Sequence, residues 1–127
     1  MADVSLIPDV GLPILATMLV NSTTALYLGW GTGTTEPVVG NTGLQTAASE
    51  SRVLCEKTLG TQTLTNDSIL IWGELECIGA SKDISEMGIF TATSGGTLVV
   101  RVTFTPITVA VGQRINFVVK IPVARGV

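Results

Sequence analysis

The sequence predicts an all-β fold: an antiparallel β-sandwich, with the jelly roll among its forms, an extended N-terminal arm and at most one short helix, about residues 42–53. Three observations predict it. Between Ile84 and Ile121, strand-like runs are separated by the turn signals Ser94-Gly95-Gly96 and Val111-Gly112-Gln113. Within these runs, Leu98, Val100, Val102 and Phe104 alternate with Val99, Arg101 and Thr103. Further on, Ile115, Phe117, Val119 and Ile121 alternate with Arg114, Asn116, Val118 and Lys120. A period of two marks a pleated strand with one buried face, and the β-branched residues and Phe that fill the runs suit such positions. The expected product is a three-stranded meander.

Upstream of the meander, residues 1–20 are apolar but carry Pro8, Gly11 and Pro13, which argue for extended backbone. An apolar segment of that kind must cover its own domain or a partner. Residues 1–11 therefore read as an arm and the rest of 1–20 as arm or first strand, leaving 21–127 as the β domain. Ala25 to Trp30 forms a short strand. The glycine-rich run after it reads as a turn or bulge, because it has no Lys for a phosphate loop and the wrong spacing for a dinucleotide loop. Thr42 to Val53 is the one stretch where a helix fits, with Leu44, Ala47, Ala48 and Val53 as its apolar stripe and Glu50 and Arg52 in solvent. Leu54–Leu64 and Ser68–Ile78 flank the turn Thr65-Asn66-Asp67 and read as a hairpin. In its second arm, Ile69, Ile71, Gly73, Leu75 and Cys77 share one face, and Leu70, Trp72, Glu74, Glu76 and Ile78 the other. Lys82-Asp83 then turns the chain into the meander.

Composition narrows the function. Charged residues make up 13 % of the chain, about half the usual share, against 46 % hydrophobic. So few charges suit a surface destined for burial against other subunits, or equally a compact β domain that uses Thr as its polar face. The net charge of −3 gives no nucleic-acid footprint, and Leu12–Val20 is too short to span a bilayer. No Lys or Arg precedes Arg52, so the N-terminus lacks the basic start of a secretory signal, and the sequons at Asn21 and Asn66 carry little meaning. Cys55 and Cys77 form no CxxC pair; they are expected as free, buried thiols, with a disulfide between them as the alternative that spacing leaves open.

The chain has no histidine, which removes triad, His-metal and imidazole acid–base chemistry. Glu74 and Glu76, two apart on one strand face, could place their carboxyl groups at the roughly 5–9 Å of a glycosidase pair, but solubility explains them more simply. Glu86 and Arg101 are expected as a cross-strand pair, worth about 0–1 kcal/mol if exposed. No cofactor or metal is expected.

Several short motifs, in order, carry a resemblance. They are GTGTT at Gly31–Thr35, then Thr42, Leu44, Glu50 and Arg52, ISEMGIF at Ile84–Phe90, SGGTLVVRVTF at Ser94–Phe104, ITV and GQRINF. The pattern spans roughly residues 29–121 and resembles small virion proteins of tailed bacteriophages, of the head-decoration (cement) or minor tail type. Residues 1–28 lie outside it. The resemblance implies a small all-β virion structural protein on the capsid exterior, made in the bacterial host cytoplasm. It implies no catalytic residues.

The expected function is stabilisation of the head by multivalent binding to the major capsid protein, with the chain itself a dimer or trimer. The candidate partner interface is Leu6, Ile7, Leu12, Ile14, Trp30 and Trp72. The rival readings are a tail, neck or fibre-adaptor protein, and a carbohydrate-binding β-sandwich module stacking sugars on Trp30, Trp72 and Tyr27.

Overall fold

The computed structural model describes residues 9–61 and 65–122. It is mostly β, with two antiparallel sheets and one short helix. In chain order the elements are α1 Gly11–Val20, β1 Tyr27–Gly31, β2 Val53–Leu54, β3 Glu56–Gly60, β4 Ser68–Glu76, β5 Lys82–Phe90, β6 Leu98–Val109 and β7 Arg114–Pro122. One sheet has the order β2-β1-β5-β6 and the other β3-β4-β7. The chain divides into two compact units. One comprises Met1–Thr23, Glu56–Ile71 and Val118–Val127, the other Thr24–Cys55 and Trp72–Phe117, so β4 and β7 contribute residues to both.

In the first unit, Gly11–Val20, part of the segment read as extended, is a helix, while residues 1–8 of the expected arm lie outside the described residues. Pro13 is the helix's third residue, where the backbone N–H has no intrahelical partner to lose, so the ring costs nothing there. Leu, Ala and Met, all good helix formers, fill much of the remaining length. Thr17 Oγ1 donates to Pro13 O at 2.8 Å, and Asn21 N donates to Thr17 O at 2.9 Å. Leu12 and Ala16 are buried, and α1 packs on β3. β3 and β4 flank the expected turn, which Asn66 makes possible by adopting a positive φ of 62°. At Gly60 a methyl group would press on Leu70, so the bare backbone lets the two strands' side chains fit.

The second unit contains the four-stranded sheet. β1 and β5 pair antiparallel from Tyr27↔Phe90 to Gly31↔Glu86, which sorts their side chains onto two faces. Leu28, Trp30, Met87 and Ile89 point into the core, where Trp30 meets Phe117 edge-on at 6.3 Å and Phe117 meets Phe104 at 5.9 Å. Gly73 of β4 comes close to Leu28 and Cys55. The face read as apolar on β4 is buried throughout, from Ile69 to Cys77. Cys55 and Cys77 are free and buried, and burial pushes the Cys55 thiol up to about 11.

The meander is only two-thirds present. β5 and β6 form the expected hairpin, but β7 crosses to the other sheet. The Val111-Gly112-Gln113 turn is tied to the end of β4, with Gly112 N donating to Cys77 O and Cys77 N to Gln113 O, both at 2.8 Å. β6 is thereby left at a sheet edge. Two register shifts and the exposed Pro106 interrupt that edge, which blunts it against pairing with a stray strand. Lys82-Asp83 begins β5 rather than turning the chain; Gly79, at φ 82°, lies in the turn that precedes it.

Candidate functional site

The other face of β1 and β5 explains the glycine run. Gly29, Gly31 and Gly33 alternate, and Gly88 sits directly opposite Gly29. On a strand this spacing strips one face of side chains. The irregular segment 32–52 lies across that bare face. A methyl group at Gly29 would press on Arg52, at Gly31 on Thr46 O, at Gly33 on Gln45 and Glu86, and at Gly88 on Leu44. The run is thus a bare strand face under a covering segment rather than a bulge. Burial from both sides also explains why Ile84–Phe90 is wholly buried and shows no alternation.

The helix expected at 42–53 does not form. Its backbone donors are taken by side chains from elsewhere: Gln45 N and Thr46 N donate to Glu86 at 2.9 and 2.8 Å. Thr32 N and Ala48 N pair the segment with β1 through Thr46 O and Trp30 O. Tertiary hydrogen bonds replace the local ladder that a marginal helix would have offered.

Three ionisable clamps hold the segment. At the first, Glu86 is 0 % exposed and accepts from Gly33 N, Gln45 N, Thr46 N and Arg101. Arg101 Nη2 lies 3.0 Å from the carboxylate, so the expected cross-strand pair exists but is buried rather than exposed. The same guanidinium donates to Asn41 Oδ1 and Thr35 O. Burial pushes the Glu86 carboxyl up, but the three backbone donors and Arg101 outweigh it and hold the group below the ordinary range.

The second and third clamps correct the expectation that Glu50 and Arg52 are solvated. Glu50 is buried and accepts from Trp30 Nε1, Ile78 N and the Lys82 ammonium. Arg52 lies 3.5 Å over the Phe90 ring and donates to Ala92 O and Gly95 O. Every buried side-chain nitrogen and oxygen among the described residues has a partner. These carboxylates are saturated by structural donors, which suits them to holding a loop.

The loop that the clamps hold out is apolar at its tip. Between Pro37 and Asn41, Val38 N donates to Asn41 Oδ1 at 2.9 Å and Asn41 N returns to Val38 O at 3.0 Å, closing a tight turn. Val38 is 63 % exposed and Val39 fully exposed. Beside them runs a cleft of about 370 Å³ lined by Pro37, Val38, Val39, Asn41, Leu98, Val99 and Arg101. The turn rests on Asn41, which rests on Arg101, which rests on Glu86. The tip is therefore ordered by hydrogen bonds within its own unit. Replacing Gly33 by Ala should push Glu86 and Gln45 aside and cost about 1–3 kcal/mol by overpacking. A urea midpoint for Gly33→Ala equal to that of the parent would show that the close approach has no such consequence.

The residues expected at an interface are scattered. Leu6 and Ile7 lie outside the described residues. Leu12 and Trp30 are 2 % and 1 % exposed and belong to the cores of their own units; neither offers a surface. Trp72 and Tyr27 are half-buried, and Ile14 is exposed. Glu74 and Glu76 both contact Arg114, at 3.4 and 3.0 Å. Among the described residues no group of His, Cys, Asp and Glu could hold a metal ion, and no helix is long and apolar enough to cross a membrane. Strand alternation and motif spacing do not mark the Val38-Val39 tip, although an apolar pair between Pro37 and Gly40 in a polar loop is a legible signal. Compared with protein-family models, with curated proteins and with solved structures, the chain matches none.

Proposed function

We propose that the chain is a β-sandwich structural protein of a bacteriophage particle, of the head-decoration type, that attaches to the major capsid protein through the Val38-Val39 tip and its cleft. The observation that carries this reading is the pairing of a fully exposed apolar tip with a buried ion pair that fixes it. The order of the motifs from Gly31 to Phe117 supports the virion assignment. The approach of Gly73 to Leu28 and the contact of Phe117 with Trp30 support the sandwich and leave the jelly roll as its finer form. Trp30, committed to that core, is unfit for stacking sugars, which weakens the carbohydrate-binding rival.

Magnitudes favour a multivalent mechanism. Burying two valines that are already this exposed contributes roughly 3 kcal/mol, below the 4 kcal/mol or more that association costs. One tip is too little. Many copies on a common shell, each adding a modest contact, bind by avidity. Mass spectrometry of particles purified from the source should recover the chain in fixed ratio to the shell protein; its absence from particles would overturn the reading. Val39→Asp should melt at the parent temperature yet fail to be retained on heads. Label found at the tail instead would replace the decoration reading with the tail-adaptor one.

A further inference from the structure

Residues 32–52 are held to the sheet chiefly by polar bonds. Their ends are fixed: the segment leaves β1 at Gly31 and rejoins the same sheet at β2, where Val53 pairs with Leu28. Between these anchors only Gly33 and Glu50 are buried, and neither brings an apolar side chain. Leu44 and Ala48 are half-buried, while Pro37, Val38, Val39 and Ala47 are exposed. The sheet beneath is bare at Gly29, Gly31 and Gly88, with the Phe90 ring under Arg52.

Apolar burial cannot hold such a segment. Fixing one residue's backbone costs about as much as burying one or two methylene groups returns, and roughly 20 residues must be fixed. The remainder falls to the latches. Glu86 gathers Gly33 N from the start of the segment and Gln45 N and Thr46 N from beyond its tip, so one carboxylate closes the whole loop between them. Beside it, Ser85 Oγ donates to Gly33 O at 2.6 Å. Glu50 holds the far end on Trp30 Nε1, Ile78 N and Lys82. In contrast, every residue of β5 from Ile84 to Phe90 is buried, and the core side chains Leu28, Met87 and Ile89 lie on the other side of the sheet.

We propose that residues 32–52 form a latched strap, which lifts from the intact sheet as one unit and does so more often in acid. Lifting returns Glu86, Glu50 and Arg101 to water, so the open state strands no buried charge. The groups facing each latch set the sign. Glu86 faces Arg101 of β6 and the strap's own N–H groups; Glu50 faces Lys82 of β5, the Trp30 indole of β1 and Ile78 N just after β4. All are donors, and Lys and Arg stay cationic throughout the acidic range, so each favours the ionised carboxyl. The open strap therefore binds protons more readily than the closed one, and opening grows as pH falls. Glu36, the strap's remaining carboxylate, is exposed. The Val38-Val39 tip rides on the strap and loses its order when the strap lifts. The inference concerns this chain alone and holds whatever the tip binds.

Native-state hydrogen exchange of the full chain, followed by NMR and corrected for intrinsic rates, reads the opening directly. The amides of Thr32, Gly33, Gln45, Thr46 and Ala48 should share one opening constant. It should exceed that of Met87 and Ile89, in the central strand β5, at least about a hundredfold at both pH 6 and pH 3. Between pH 6 and pH 3 it should rise at least about tenfold. Glu86→Gln should raise it at pH 6 and reduce the acid rise, whereas Glu36→Gln should change neither. Strap amides that exchange only in step with Met87 and Ile89, strap amides without protection at pH 6, an opening constant independent of pH, or an acid rise that Glu36→Gln abolishes would each overturn the proposal.

Discussion

Glu86→Ala is expected to be the most damaging single substitution in the second unit, costing about 3–5 kcal/mol. The carboxylate is fully buried and accepts from three backbone N–H groups of the covering segment as well as from Arg101. Its removal leaves those donors without partners and strands a guanidinium whose side chain is 3 % exposed. A domain of this size has only about 5–15 kcal/mol to lose, so the melting temperature should fall by at least about 10 °C. Arg101→Ala should cost less, because the carboxylate keeps its backbone donors. The double variant should cost less than the two singles combined, since each single already breaks the shared pair. Denaturant unfolding of the three variants measures this. A loss below about 1 kcal/mol for Glu86→Ala, or strict additivity, would show that the segment is held by something else.

Acid should destabilise the protein through Glu50. Burial pushes this carboxyl up, yet the Lys82 ammonium, Ile78 N and the Trp30 indole outweigh it and bring the group from its ordinary 4.5 to about 2. The unfolded chain therefore binds the proton more readily than the folded one. The stabilisation is complete above pH 4.5 and is lost as pH falls from about 4.5 to about 2. By linkage it amounts to on the order of 3 kcal/mol. Glu86, also held below its ordinary range, acts in the same direction. Glu50→Gln should cost about 2–4 kcal/mol at pH 7 and far less near pH 2, because the protonated parent has already lost the ion pair with Lys82. Urea unfolding of parent and Glu50→Gln at pH 7, 5, 4 and 3 tests both statements. A parent whose stability is flat from pH 5 to pH 3, or a cost for Glu50→Gln independent of pH, contradicts them.

Both predictions turn on charges that look ordinary in the sequence. In a chain so poor in ionic residues, Glu50, Lys82, Arg52, Glu86 and Arg101 are the informative ones, and only the Glu86–Arg101 pair is visible there as a cross-strand neighbour. Its burial is not visible, because the segment that buries it begins dozens of residues earlier in the chain. The alternating glycines from Gly29 to Gly33 are the signal that could have pointed to it. A strand that drops every second side chain is one that something else must cover.

From the sequence alone came the β class, the hairpins around Asn66 and around Ser94–Gly96 and the buried face of β4. Each of these rests on period-two patterning or turn chemistry, which act between near neighbours. Tertiary structure alone decided that residues 11–20 coil into a helix, that 42–53 does not, and that β7 leaves the meander for the other sheet. Those outcomes depend on where distant donors and acceptors find partners: a proline is harmless in a first turn, and a weak helix yields its N–H groups to a buried carboxylate. Propensity ranks local options by tenths of a kcal/mol, whereas breaking a buried ion pair costs several, so the distant partner prevails.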